Sequence, residues 1–249
     1  MFDIDKILSW DVVGEVYSSI LAMIIIAILY IVMGILARHH DPLKKSRGLL
    51  LIGEILVGFF DHLVTDLMGP KFKNMGGFVM AIASYLFIAF IFGLTGFPSP
   101  ITYMAIPLSC ASVTFVMIHA TSVRFTKWKY FKRYIDPLPV FLPINLLSMW
   151  SPLLSLTLRM FGNAMSGWVI MSLLYGAFNS FGTIVFTYLG QLNSYSYIAP
   201  LVTPVLHLYF DFFSGFIQTT VFIFLTMIYI SQEAPEDEIE SNILMEGGR

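Results

Sequence analysis

Five long apolar runs limit this chain to very few folds: Tyr17–Ala37, Phe78–Leu94, Ile101–Ser122, Leu146–Phe178 and Tyr197–Ile230. A helix crosses a ~30 Å hydrocarbon core in about 20 residues. Inside lipid the backbone must satisfy its own hydrogen bonds, so only helices and closed barrels cross it. Each run is long enough to be a spanning helix. The pattern predicts an all-α polytopic membrane protein with about five transmembrane helices, the last two long and tilted because they exceed the span required. A sixth segment, Gly48–Met68, is apolar but carries Glu54, Asp61, His62 and Asp66. That many ionisable groups make a lipid-exposed span expensive, so it is expected as an interfacial or packed hairpin segment.

Composition agrees. Charged residues make up 12% of the 249 and hydrophobic ones 57%, whereas a soluble domain carries about 25% charge to clothe its surface. The partner implied for much of the surface is a lipid bilayer. A net charge of −2 gives no reason to expect nucleic acid. Cys110 is the sole cysteine; one thiol forms no internal disulfide, and no His/Cys spacing suggests a metal or cofactor. The opening Met1-Phe2-Asp3-Ile4-Asp5-Lys6 lacks a basic n-region and a cleavage site, so the first run is expected to stay as a permanent helix.

Basic residues set the expected orientation. Arg38, Lys44, Lys45 and Arg47 follow the first run, Lys71 and Lys73 precede the second, and Arg124, Lys127, Lys129, Lys132 and Arg133 follow the third. The Gly96–Pro100 and Asn179–Ser196 links contain neither Lys nor Arg. By the positive-inside rule the N-terminus lies outside and the C-terminus in the cytoplasm. Gly96-Phe97-Pro98-Ser99-Pro100 reads as a tight turn, Pro137, Pro139 and Pro143 break the chain before the fourth run, and a kink is expected at Pro152. The whole of 1–249 reads as a single membrane domain, with 233–249 an acidic cytoplasmic tail expected to be mobile.

Chemistry concentrates in the fourth run. Ser148, Ser151, Ser155, Arg159, Asn163 and Ser166 follow at steps of three or four, so they share one helical face. The stripe extends about 27 Å at ~1.5 Å per residue, with Arg159 near its middle. A guanidinium at the bilayer centre costs at least ~2.5–3.5 kcal/mol and cannot escape by deprotonating. It must face water, an anion or a carboxylate. A structural ion pair inside the bundle is the plain alternative; the hydroxyl ladder and the flanking Gly162 and Gly167, which admit a close neighbour, weigh against it.

The fifth run carries a matching face of Thr203, His207, Asp211, Ser214 and Gln218. The two runs are expected to be antiparallel. With Gln218 level with Arg159, Asp211 falls about 10 Å towards the outside, at the level of Ser166 and Trp168. A single intramembrane histidine is more often structural than not. An aspartate one turn away on the same face shifts the reading to a proton relay.

These residues form a familiar pattern. Ser155-Leu156-Thr157-Leu158-Arg159-Met160-Phe161-Gly162-Asn163 resembles the SLxLRLFGN signature of subunit a of the rotary F-type ATP synthase. Gln218 with Val221-Phe222-Ile223-Phe224-Leu225-Thr226-Met227-Ile228-Tyr229 is similar to that family's last-helix pattern. The Phe-Gly-Asn triplet looks bacterial, which implies a bacterial plasma membrane. The resemblance implies a stator subunit that catalyses no bond chemistry alone. Its implied partners are a ring of c subunits, peripheral-stalk b subunits and the rest of the synthase. Arg159 then matches the essential cation facing the ring carboxylate and separating two offset half-channels. Asn163, Ser166, His207, Asp211, Ser214, Gln218, Ser148, Ser151 and Ser155 would line the proton path. Three departures matter: the family's usual Glu eleven before the arginine is Ser148 here, Thr157 stands where Gly is common, and relatives often carry an acid or histidine after the Phe-Gly-Asn-x-x-x-Gly stretch, where this chain has Trp168. Asp211 is expected to supply that group from the opposite helix.

Two other classes compete. A secondary transporter with Arg159 as an anion-substrate site usually carries internal repeats, and none is visible. An intramembrane enzyme would need a Ser/His dyad, HExxH or phosphate loop, and the sequence has none.

Overall fold

The computed structural model describes residues 14–40, 46–127, 142–188 and 199–233, and all regular structure among them is helical. α1 (Gly14–His39) and α2 (Leu49–Met68) come first. A continuous helical stretch follows, made of a 3-10 turn (Pro70–Met75), α3 (Gly76–Ile91) and a second 3-10 turn (Phe92–Thr95). α4 (Ala105–Thr126) and α5 (Leu142–Tyr188) precede a last stretch of α6 (Ala199–His207), a π-helical turn (Leu208–Phe213) and α7 (Ser214–Ser231). Lys44, Lys45, Lys129, Lys132, Arg133, Pro137, Pro139 and all but the first residue of the acidic tail lie outside the described residues.

Four stretches are long and apolar enough to cross a membrane: Gly14–His39, Pro70–Thr95, Ala105–Thr126 and Val202–Ser231. They correspond to four of the five expected spans. The fifth, α5, has 47 residues and so a length of about 70 Å at ~1.5 Å per residue. Its polar stripe removes the uniform apolarity of the others. Pro152 lies inside α5 without ending it. The Gly96 turn is seen as expected: Gly96 takes φ +83°, the left-handed region that glycine enters freely, and Ser99 donates its hydroxyl back to the Ala89 carbonyl at 3.2 Å.

The chain divides into two compact units. The first comprises Met1–Ile25, Tyr85–Ile106 and Arg159–Thr219. In it, Ser19 and Tyr85 share a 2.7 Å hydrogen bond between α1 and α3. Phe87 stacks edge-on against Phe212 and Phe216, with centroids 6.0 and 6.3 Å away. A Cβ on Gly215 would come within 2.6 Å of Phe90 Cβ, so the last helix approaches α3 only because no side chain intervenes.

The second unit comprises Ile26–Ser84, Pro107–Leu158 and Thr220–Arg249. Its core is Val64, Met68, Phe72, Val79, Ala83, Ile118, Ile223, Met227 and Ile230, drawn from five helical segments. Val64 and Met68 belong to α2, so the charged sixth segment is packed against its neighbours. Its Asp61 carboxylate lies directly against Gly76, and its Glu54 accepts a hydrogen bond from Ser46 at 2.7 Å. Tyr30 and Ser84 share a 2.6 Å hydrogen bond between α1 and α3. Outside these contacts α1 is clothed in exposed Ile20, Ile24, Ile28, Ile31 and Ile35, a face suited to lipid and to nothing in water.

Charge is distributed unevenly. Among the described residues the second unit holds Arg38, Arg47, Lys71, Lys73, Arg124 and Lys127, and the first holds Arg159 alone.

Candidate functional site

The two polar stripes meet in the first unit. Asn163 on α5 and Ser214 at the start of α7 bond reciprocally: Asn163 Nδ2 donates to Ser214 Oγ at 2.9 Å, and that hydroxyl donates to Asn163 Oδ1 at 3.0 Å. One turn further along α5, Gly167 packs against the Phe210 ring, a Cβ there lying 3.7 Å from it. These two pairings define one antiparallel register. Continued one turn the other way, it puts Gln218 level with Arg159, the alignment on which the expected position of Asp211 rests.

Arg159 is exposed on the surface of α5 and takes part in an interaction within the chain. Gln218 is only 7% exposed, and among the described residues its Nε2 has no hydrogen-bond partner, nor has the hydroxyl of its buried neighbour Thr219. A buried amide left without a partner costs about 1–3 kcal/mol. Natural chains carry few such groups, and each calls for an explanation.

A cavity of about 400 Å³ lies beside the Asn163–Ser214 pair, lined among others by Glu15, Ser99, Asn163, Trp168, His207 and Asp211. The sequence expectation put Asp211 at the level of Trp168, and both line this one space. His207 and Asp211 are hydrogen-bonded, Nδ1 to Oδ2 at 2.7 Å. The other ring nitrogen, Nε2, sits 2.9 Å from the Tyr175 hydroxyl. A carboxylate accepts, so Nδ1 donates to it. The phenol donates to a bare Nε2 and accepts from a protonated one, so both ring states keep both bonds. Tyr175, His207 and Asp211 thus form one hydrogen-bonded chain of groups whose chemistry allows each to give or take a proton.

Asp211 owes its placement to local backbone. It lies in the π-helical turn Leu208–Phe213, where the wider i→i+5 winding inserts an extra residue into the helix. The turn packs against the 3-10 turn Phe92–Thr95. There Gly93 admits the Asp211 carboxylate, whose atoms would lie 3.2–3.3 Å from a Cβ on that glycine.

Among the other expected residues, Thr203 is buried, and the exposed Ser166 donates its hydroxyl to the Asn163 carbonyl of its own helix at 2.9 Å. Ser148, Ser151 and Ser155 belong to the second unit. Ser148 lines a cavity there of about 380 Å³, while Ser151 is exposed on the helix. Four residues escaped the sequence reading: Glu15, Ser99, Thr102 and Tyr175. Glu15 offered one signal, a carboxylate in the first turn of a span; Tyr175 lies off the stripe and offered none.

The family described as ATP synthase A chain matches residues 18–231. The chain is similar to the ATP synthase subunit a of Mycoplasma pneumoniae, 29% identical over 92% of this chain and 83% of that one. It is 27% identical to the subunit a of Mycoplasma genitalium over the same shares of each. The subunit a of Propionigenium modestum, described as sodium ion specific, is 31% identical over 71% of this chain and 60% of its own length. Matched from α1 to the end of α7, across both stripes and the arginine within the first of them, this all-helical membrane chain belongs to the ATP synthase A chain family.

Proposed function

We propose that this multi-pass membrane subunit of ATP synthase is the proton-conducting stator of the membrane sector. In this reading it gives the carboxylates of a c-subunit ring access to the two faces of the membrane through separate half-channels, and Arg159 divides them. The observation that carries the reading is an arginine exposed at mid-stripe on α5, one turn from the Asn163–Ser214 pair. A fixed cation at an exposed membrane surface is stabilised by an anion brought to it, and a ring carboxylate is such an anion. As that carboxylate approaches, the guanidinium favours its ionised form and so drives the proton off. The same charge repels a proton passing straight through.

The outer half-channel is the cavity of the first unit. Tyr175, His207 and Asp211 relay protons along it, with Asp211 taking the place of the acid absent at Trp168. The inner half-channel follows Ser148, Ser151 and Ser155. Protons are the ion favoured here because imidazole, phenol and carboxylate in series exchange protons, whereas a hard cation calls for a cage of oxygens. The subunit lies in a bacterial plasma membrane with its N-terminus outside and its tail in the cytoplasm, anchored by peripheral-stalk b subunits.

The test is ATP-driven acidification of vesicles holding the whole complex, in sodium-free buffer. The parent complex is expected to pump. Arg159→Ala is expected to abolish pumping while the detached catalytic head still hydrolyses ATP. Normal coupled pumping by that variant would overturn the reading.

A further inference from the structure

The inner half of the stripe consists of hydroxyls alone, and hydroxyls do not titrate near neutral pH. A titratable group does stand beside it on another helix. The cavity of the second unit, about 380 Å³, is lined among others by His119 and Ser122 of α4, Asn145 and Ser148 of α5, Tyr229 in the last helix and Glu233 just after it. From the stripe only Ser148 reaches it. α5 contributes no ionisable group to its wall, the last helix contributes Tyr229, and the turn just after it contributes Glu233.

The ring of His119 is fixed. Its Nδ1 lies 2.9 Å from the Phe115 carbonyl, one turn back on α4. A carbonyl only accepts, so Nδ1 carries a proton and Nε2 is the nitrogen that gains and loses one. The Phe115 ring lies tilted at 45° against the imidazole with centroids 4.0 Å apart, and also meets the Trp150 ring at 5.3 Å. The Phe115 ring thus lies against a histidine at the wall of a polar cavity in the unit that contains all the described lysines and every described arginine but Arg159.

We propose that this cavity is the inner proton vestibule and that His119 is its titratable group, with Glu233 at the rim. The proposal rests on the half-channel reading above and adds to it the residue that the arginine's own helix lacks. In each transfer Nε2 takes one proton from water on the ring side and gives one to water on the cytoplasmic side. The imidazole then returns to the tautomer held by Phe115.

The test uses the complete complex in vesicles, with the pH on the head-bearing side varied and that on the other side held constant. Proton flux in the parent is expected to show an inflection as that pH is varied. His119→Gln should lower flux several-fold and remove the inflection. His119→Glu should restore part of the flux and move the inflection to lower pH, a rescue that a purely structural histidine would not give. Unchanged flux and profile in His119→Gln, with Arg159→Ala still inactive, would overturn this proposal and leave the half-channel reading standing. Flux in both variants would overturn both. Should His119→Gln fail to assemble, Ser122→Cys with Cys110→Ser decides the matter. Labelling by a membrane-impermeant thiol reagent from the head-bearing side supports the vestibule, and an unreactive thiol there rejects it.

Discussion

Asp211 shows how one carboxylate is set up by neighbours from three segments. The π turn offers it, Gly93 makes room for it, and His207 holds one of its oxygens at 2.7 Å. Its neighbour across the cavity, Trp168, is exposed and apolar at the place where relatives often carry an acid or histidine. If Asp211 carries the proton in that space, Asp211→Asn should reduce flux at least tenfold, because an amide neither takes up nor releases a proton there. Adding Trp168→Glu, which returns a carboxylate to the same cavity from the opposite helix, should recover part of the loss. Vesicle acidification measures both. Wild-type flux in the single variant would remove Asp211 from the path, and no recovery in the double variant would separate the two positions functionally.

At the scale of elements, close helix approach decides where these groups stand. Gly215 is the tightest point in the first unit, since a Cβ there would press on Phe90 Cβ and ring carbons 2.6 to 3.1 Å away. Both are buried, and a ring root on a neighbouring helix cannot swing aside as a flexible side-chain end can. Gly215→Val should therefore destabilise the packing by about 1–3 kcal/mol, the usual cost of forcing volume into a filled interior. Thermal unfolding of the detergent-purified subunit should show a lowered midpoint, and an unchanged midpoint would mean that the helices separate at no cost. The elements themselves were legible in the sequence, because apolar length is imposed by the bilayer and does not depend on packing. Ser214 and Asn163 were legible as members of two stripes for the same reason, since each stripe is a property of one helix. Other features arise only where chains meet. The π turn reflects contact with Phe92–Thr95, and no local residue pattern announces it. Tyr175 reaches His207 from off the stripe. Glu15 and His119 join cavities through helices that the stripe argument never considered.

Across the whole molecule the main asymmetry is one of charge. Among the described residues Arg38, Arg47, Lys71, Lys73, Arg124 and Lys127 all fall in the second unit, and Arg159 is the sole basic residue of the first. Retention of Lys and Arg on the cytoplasmic side sets membrane orientation during insertion, and the orientation expected on that ground is open to test. The turn at Gly96–Pro100, which carries the exposed Phe97, should open to the outside, and the end of α4 at Thr126 and Lys127 to the cytoplasm. The chain has one cysteine, Cys110, so Cys110→Ser gives a clean background for single thiols. In intact cells a membrane-impermeant reagent should label Phe97→Cys and spare Lys127→Cys; in inverted vesicles the pattern should reverse. The opposite pattern would mean that charge does not set the orientation of this chain, and it would exchange the inner and outer assignments of the two cavities together. His119 would then lie on the entry side and Asp211 on the exit side, and the pH at which each controls flux would have to be varied from the other face of the membrane.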